Sequence, residues 1–192
     1  RGKRFFKTSF FMPTILPLTA VGLMWSYILS PMIGPVNKIL EVLGCSHLAK
    51  AWLGDPATAI FCVVLVSNWV WAGFNMLIFA AGMVSIPTEF YNAAVIDGAN
   101  SIQKVWYITL PLLKESFKVF SVIAVTGSLR TFDLVFVMTG GGPNGATNVP
   151  ASLLYYESFL YSNFGFGNSI GVFIMVSGMV LSVLINKLFR EE

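Results

Sequence analysis

Residues 85–115 read SIPTEFYNAAVIDGANSIQKVWYITLPLLKE, an amphipathic, charge-bearing stretch between strongly apolar ones. Pro87 and Gly98 punctuate its first half. Proline fits the first turn of a helix and glycine fits just past its end, so the spacing predicts a helix from Pro87 to Asp97. Phe90, Ala93, Ala94 and Asp97 fall at i, i+3, i+4 and i+7 and so share a face. The two alanines give that face a low profile that another surface can approach closely. Ser101 is expected to cap a second short helix, with Ile102, Val105, Trp106 and Thr109 as its stripe. Pro111, lacking an N–H and crowding the preceding turn, is expected to end or kink it. The whole is a compact helix–turn–helix, and a hydrophobic protein that holds such a unit outside the bilayer is expected to dock a partner with it.

The spacing Asn92-Ala93-Ala94, three residues, Gly98, nine residues, Ile108-Thr109-Leu110-Pro111 resembles the Glu-Ala-Ala loop of binding-protein-dependent ABC importer permeases. The chain departs from that pattern at Asn92, where the family usually has Glu. The flanks, Ser85-Ile86-Pro87 and Ile96-Asp97-Gly98-Ala99, look like the sugar-importing branch. The resemblance implies that Glu89 and Asp97 make polar contacts to an ATPase, that Ala93 and Ala94 fit closely against it, and that Gly98 permits the turn. Asn92, Ile108, Leu110 and Pro111 complete the motif.

Composition supports a membrane protein. The chain has 192 residues, 56% hydrophobic and 11% charged, with a mean hydropathy of +0.75. A soluble domain carries about 25% charged residues. The expected fold is an all-α integral membrane domain over residues 1–192, with about four transmembrane helices and the 85–115 loop. The chain opens on Arg1, so a fragment or processed product is expected. Its basic start precedes an apolar stretch of span length with no cleavage site. Cys62 lies in an apolar run and reads as a small packing residue. Cys45 and His47 stand two apart without a second ligand pair, so neither a metal site nor a disulfide framework is expected.

Four apolar runs reach span length at 1.5 Å per residue. The first, Phe10–Leu29, carries Pro13 and Pro17 in its first turns and should bend near its entrance. The second is expected over Thr58–Met83. Asn68, Trp71 and Asn75 share one face of it, and polar groups at membrane depth need partners. That face should turn inward, either for interhelical hydrogen bonds or for contact with a sugar, since indole packs on pyranose rings and amides both donate and accept. The third run, Phe117–Met138, holds Ser128, Arg130 and Asp133. An Arg near a span centre costs about 2.5–3.5 kcal/mol, so an Arg130–Asp133 ion pair or a water-lined path is expected. The last is Gly167–Leu188, where Gly171 and Gly178, with Ser177, would allow close helix contact.

Between the runs, Ser30–Asp55 reads as a loop on the membrane surface with a short amphipathic turn (Val36, Ile39, Leu40, Leu43) ended by Gly44. The segment Thr139–Thr147 is Gly-rich but lacks the Gly-Lys-Ser/Thr of a phosphate loop. Tyr155, Tyr156, Phe159, Tyr161 and Phe164 mark an interfacial helix in the segment Ala151–Gly165. Gly34–Leu40, Trp52–Pro56 and Thr139-Gly140-Gly141-Gly142-Pro143 also resemble sugar permeases, so the likeness extends over nearly the whole chain, as spans three to six of a six-span protein.

Four spans put both ends on one side. That side holds Arg1, Lys3, Arg4, Lys7, Lys104, Lys114, Lys118, Lys187 and Arg190, nine of the twelve basic residues. The other side holds Lys38 and Lys50, and Arg130 lies within a span. The positive-inside rule then places the ends and the Ser85–Glu115 loop in the cytoplasm, in a cytoplasmic (inner) membrane.

The resemblance implies a permease subunit of an ATP-driven importer for a sugar or oligosaccharide, working by alternating access. Its implied partners are a second permease subunit, two cytosolic ATPase subunits, an extracytoplasmic solute-binding protein, the sugar and membrane lipid, with no nucleic acid and no cofactor. Glycerol phosphate or another polyol is the alternative solute, and a secondary transporter the alternative machine. An enzyme is not expected: no nucleophile–base pair or paired carboxylates lie in the spans, and the Walker residues are missing.

Overall fold

The computed structural model describes residues 2–189, with side chains from residue 5 onward; Arg1 and Arg190, which bear on the charge topology, lie outside them. Eleven α-helices form among the described residues, with no strand. The long elements are α4, Pro56–Ser85, and α11, Phe164–Leu188, both long and apolar enough to cross a membrane. Asp55 starts α4: its carboxylate accepts the Ala57 N–H at 2.9 Å, with Pro56 in the first turn. At 1.5 Å per residue α4 is about 45 Å long, so its two flanking loops lie at opposite ends of the molecule.

Two of the four expected spans are not single helices. Phe10–Leu29 divides into α1, Gly2–Ile15, and α2, Leu18–Ile28, bent by 99° at Leu16–Pro17. Pro13 is accommodated inside α1, and the break falls at Pro17, in mid-run. Phe117–Met138 divides into α8, Lys114–Arg130, and α9, Asp133–Met138, where Thr131 turns extended. Arg130 is therefore the last residue of α8 rather than a residue at span centre. A cation is favoured there by the exposed carbonyls of the helix end.

The core is small. Val21 and Leu29, Val63, Val66 and Val70 of α4, and Leu134, Val135 and Met138 of α9 pack together, with Cys62 half-buried against them as a packing residue. Helix α1 crosses α4 at Gly73. A Cβ there would strike the Phe10 carbonyl and the Phe11 backbone, and Thr14 Oγ1 donates to the Val70 carbonyl at 2.6 Å beside it. Phe79 of α4 packs against Phe117 and Phe120 of α8, with ring centroids 4.9 and 5.5 Å apart. The close approach on α11 is at Gly167, against Ser158; Gly171 and Gly178 meet their neighbours only at ordinary contact distance.

At the start of α4 lies α3, Pro35–Val42, in the loop after α2. It ends at Gly44, whose φ is +73°, where glycine is favoured. Asn37, read in the sequence only as part of the Gly34–Leu40 stretch, anchors this loop. It is 5% exposed, donates to the Lys50 carbonyl at 3.0 Å and accepts the Trp52 indole N–H at 2.7 Å. Lys50 in turn pairs with Asp55 at 3.6 Å.

Beyond α9 the Gly-rich segment is stapled by side chains. Thr139 and Thr147 hydroxyls lie 2.8 Å apart, and the Tyr156 hydroxyl donates to the Gly140 carbonyl at 2.7 Å. The chain then enters α10, Pro150–Tyr155, and a π turn, Tyr156–Leu160.

Candidate functional site

At the far end of α4 the chain leaves Ser85 through Ile86 and Pro87 into α5, Thr88–Ile96. Pro87 is its N-cap and Asp97 its C-cap, so the expected helix is found to within one residue at each end. The end is built by the backbone. The Ala99 N–H donates to the Ala94 carbonyl at 2.8 Å, and the Gly98 N–H to the Val95 carbonyl at 3.1 Å, with Gly98 at φ +74°. This is the Schellman arrangement, and it needs the left-handed residue where glycine stands.

The second helix begins one residue earlier than expected. Asn100, not Ser101, is the cap of α6, Ser101–Lys104: its side chain accepts the Gln103 N–H at 2.9 Å while Gln103 Oε1 accepts the Asn100 N–H at 2.8 Å. This reciprocal pair satisfies two N–H groups that a helix start leaves open. A π turn comes next, Val105–Thr109, then α7, Leu110–Leu112, and Leu113 leads into α8. The helical path runs one residue past Pro111 and stops at Leu113 (φ −83°, ψ 2°), so the expected break falls two residues after the proline. The wider turn ahead of it makes room for the ring and for the N–H that proline cannot supply.

The face of α5 differs from the periodic reading. Ala94 is 9% exposed and Tyr91 half-buried, so both turn inward. Glu89, Asn92, Ala93 and Ile96, at i, i+3, i+4 and i+7, form the outer face, and all four are exposed. Asp97 and Gly98 are exposed at the turn. Ile108 and Leu110 are half-buried and Pro111 is exposed. Around this face Phe90, Ile102, Trp106 and Tyr107 are 50%, 70%, 65% and 79% exposed, so the unit presents apolar surface with two carboxylates, Glu89 and Asp97.

The second group of candidate residues lies on α4 and around the α8–α9 break. Val63, Val66, Val70 and Gly73 form the buried face of α4. Asn68, Trp71 and Asn75 point to its other side: Asn68 and Trp71 are exposed and Asn75 half-buried. Their face points away from this chain's own core, and among the described residues neither amide makes a side-chain hydrogen bond. Ser128, Arg130 and Asp133 are exposed as well. Ser128 Oγ donates to the Val125 carbonyl at 2.8 Å. The expected Arg130–Asp133 ion pair does not form among the described residues, because the extended Thr131 separates the two helices that carry them. An apolar groove of about 440 Å³ beside α10 and α11, lined by Val149, Leu153, Phe166, Ile170 and Phe173, includes none of these residues.

The described residues thus form an all-helical domain with an exposed helix–turn–helix at the end of a long apolar helix. The structure matches a chain of the crystal structure of a bacterial ABC transporter involved in the import of the acidic polysaccharide alginate, with a TM-score of 0.88 at 23% identity, over 97% of this chain and 65% of that one. Residues 1–191 match the family of binding-protein-dependent transport system inner membrane components, and the chain belongs to that family.

Similar proteins include the probable ABC transporter permease protein YurN of Bacillus subtilis, 34% identical over 97% of this chain. The trehalose/maltose transport system permease protein MalF of Thermococcus litoralis is 36% identical over 94%. The sulfoquinovosyl glycerol transport system permease protein SmoG of Agrobacterium fabrum is 31% identical over 97%. The chain spans less than two thirds of the length of each: 64%, 60% and 60% respectively.

Proposed function

We propose that this chain is the pathway-forming part of a permease subunit of an ATP-driven importer for a sugar or oligosaccharide. It carries no nucleotide-hydrolysing residues of its own. ATP is hydrolysed by two cytosolic ATPase subunits, and the solute arrives from an extracytoplasmic binding protein. A second permease subunit completes the path, and α11, the Asn68–Trp71–Asn75 face and the Arg130–Asp133 break are surfaces open to it, to lipid or to solute. In the inner membrane, the positive-inside rule puts the 85–115 loop in the cytoplasm.

The observation that carries this reading is α5 itself: a nine-residue helix at the end of a long apolar helix, exposed along Glu89, Asn92, Ala93 and Ile96. The dock on the ATPase is that face, with Ala93 giving close approach. Asn92 stands where a carboxylate is usual, so the contact there is a neutral amide, able to donate as well as accept. Coupling requires that the ATPase contact this face differently in its two nucleotide states; otherwise no equilibrium shifts.

The test is co-purification of the full-length protein with the ATPase of its own cell, in detergent. Ala93→Asp should abolish association and Gly98→Val should weaken it. Equal recovery of ATPase with all three proteins would place the dock elsewhere. Among solutes, the names of the similar permeases favour glycosides, and a glycerol-bearing solute is the second reading, favoured by the sulfoquinovosyl glycerol permease.

A further inference from the structure

Helix α5 is lightly held. No neighbouring helix packs broadly on it, and it meets the rest of the chain through its inner residues, Tyr91 and Ala94. Among the described residues, Tyr91 is the one side chain of α5 that hydrogen-bonds beyond the helix: its hydroxyl lies 2.9 Å from Thr109 Oγ1. Thr109 ends the π turn, and its hydroxyl also reaches the Lys104 carbonyl at 3.3 Å. A hydroxyl has one proton to give and two lone pairs. The two bonds are therefore compatible in one sense only. Tyr91 donates to Thr109, and Thr109 donates to Lys104.

The position of this chain of bonds matters. The π turn and Pro111 interrupt the regular ladder between α6 and α8, because proline supplies no N–H and the i→i+5 turn is rare and irregular. A push on α5 carried along the backbone alone would be absorbed there. The Tyr91–Thr109 bond bridges the interruption. Thr109 is also the residue whose carbonyl accepts the Leu113 N–H at 3.0 Å, and Leu113, 5% exposed, is where the chain enters α8.

We propose that the Tyr91–Thr109 hydrogen bond is the tie that delivers a displacement of α5 to α8, making Tyr91 and Thr109 positioning residues for transport. This rests on the reading of α5 as the ATPase dock. The tie itself is specific to two hydroxyls, neither of which lies on the outer face.

The experiment uses the full-length protein assembled with its ATPase in liposomes. Nitroxides replace Val119 on α8 and Leu23 on α2, both exposed, in a background with Cys45→Ser and Cys62→Ala. The distance between them is measured without nucleotide and with ATP trapped by vanadate. The parent should show a nucleotide-dependent shift. In Tyr91→Phe and in Thr109→Val the shifted population should fall about fivefold, the factor one ordinary net hydrogen bond carries. The double variant should be no worse than either, because both remove one bond. Thr109→Ser should retain the shift, and the ATPase should co-purify throughout. A full shift in Tyr91→Phe overturns the tie, as does loss of ATPase from that variant, which would make Tyr91 part of the dock or the fold. If the parent itself binds no ATPase or shows no shift, the docking reading has failed and the tie falls with it.

Discussion

Gly98 is held at φ +74° with nothing within 4 Å of where a Cβ would stand. Its requirement is conformational, not steric. A branched side chain in the left-handed region costs about 1–2 kcal/mol, whereas asparagine tolerates that region. Gly98→Asn should therefore keep ATPase association near the parent level. Gly98→Val should lower it about tenfold, the factor that about 1.4 kcal/mol represents. Equal effects of the two would show that the position matters for something other than its backbone angle. Asn37 is the opposite case, a residue needed for its polar atoms. Asn37→Leu leaves the Trp52 indole N–H and the Lys50 carbonyl without their partner, at about 1–3 kcal/mol for a buried group. Trypsin cleavage at Lys38 and Lys50 should accelerate severalfold in Asn37→Leu, with no change at Lys104. The two residues differ in legibility. Gly98 announces itself through its place behind a helical run. Asn37 looks like any polar loop residue, because its burial depends on Lys50 and Trp52, which reach it only after the chain has turned.

The elements show what periodicity can and cannot resolve. The bounds of α5 are readable because Pro87 and Gly98 each carry a backbone constraint. Its facing is not: Tyr91 turns inward to a hydroxyl pair and Ala94 is buried, and neither is encoded in polarity. Hydropathy likewise finds Phe10–Leu29 and Phe117–Met138 as apolar runs. It measures transfer from water, not backbone direction: the prolines mark the bend that falls at Pro17, but nothing marks the break at Thr131. The π turn has a local cause in Pro111, and that can be tested. Pro111→Ala restores an N–H and removes the ring, so the turn can close toward regular α geometry. Amide exchange across 107–113, monitored by mass spectrometry, should slow in Pro111→Ala. Unchanged or faster exchange would mean that the turn is imposed by tertiary contacts such as Tyr91–Thr109.

For the whole molecule, the described residues bury little. The core of Val21, Val63, Val66, Val70, Leu134 and Val135 sits on one side of α4, while Val172, Phe173, Val176, Met179 and Val183 of α11 are each about half exposed or more. Such a surface is stable only against lipid or other helices. The orientation proposed from the positive-inside rule can be tested: in spheroplasts, in a Cys45→Ser, Cys62→Ala background, a cysteine replacing Val42 should react with an impermeant maleimide at once, and one replacing Gln103 only after permeabilisation. The reverse pattern would invert the molecule and remove α5 from the ATPase. The most direct measurement is photocrosslinking in the assembled transporter. Benzoylphenylalanine is placed in turn at position 93 on the outer face of α5, at position 94 on its inner face, and at position 42 at the other end of α4. The account predicts an adduct with the ATPase from position 93 and none from 94 or 42. An adduct from 42, or none from 93, would contradict it.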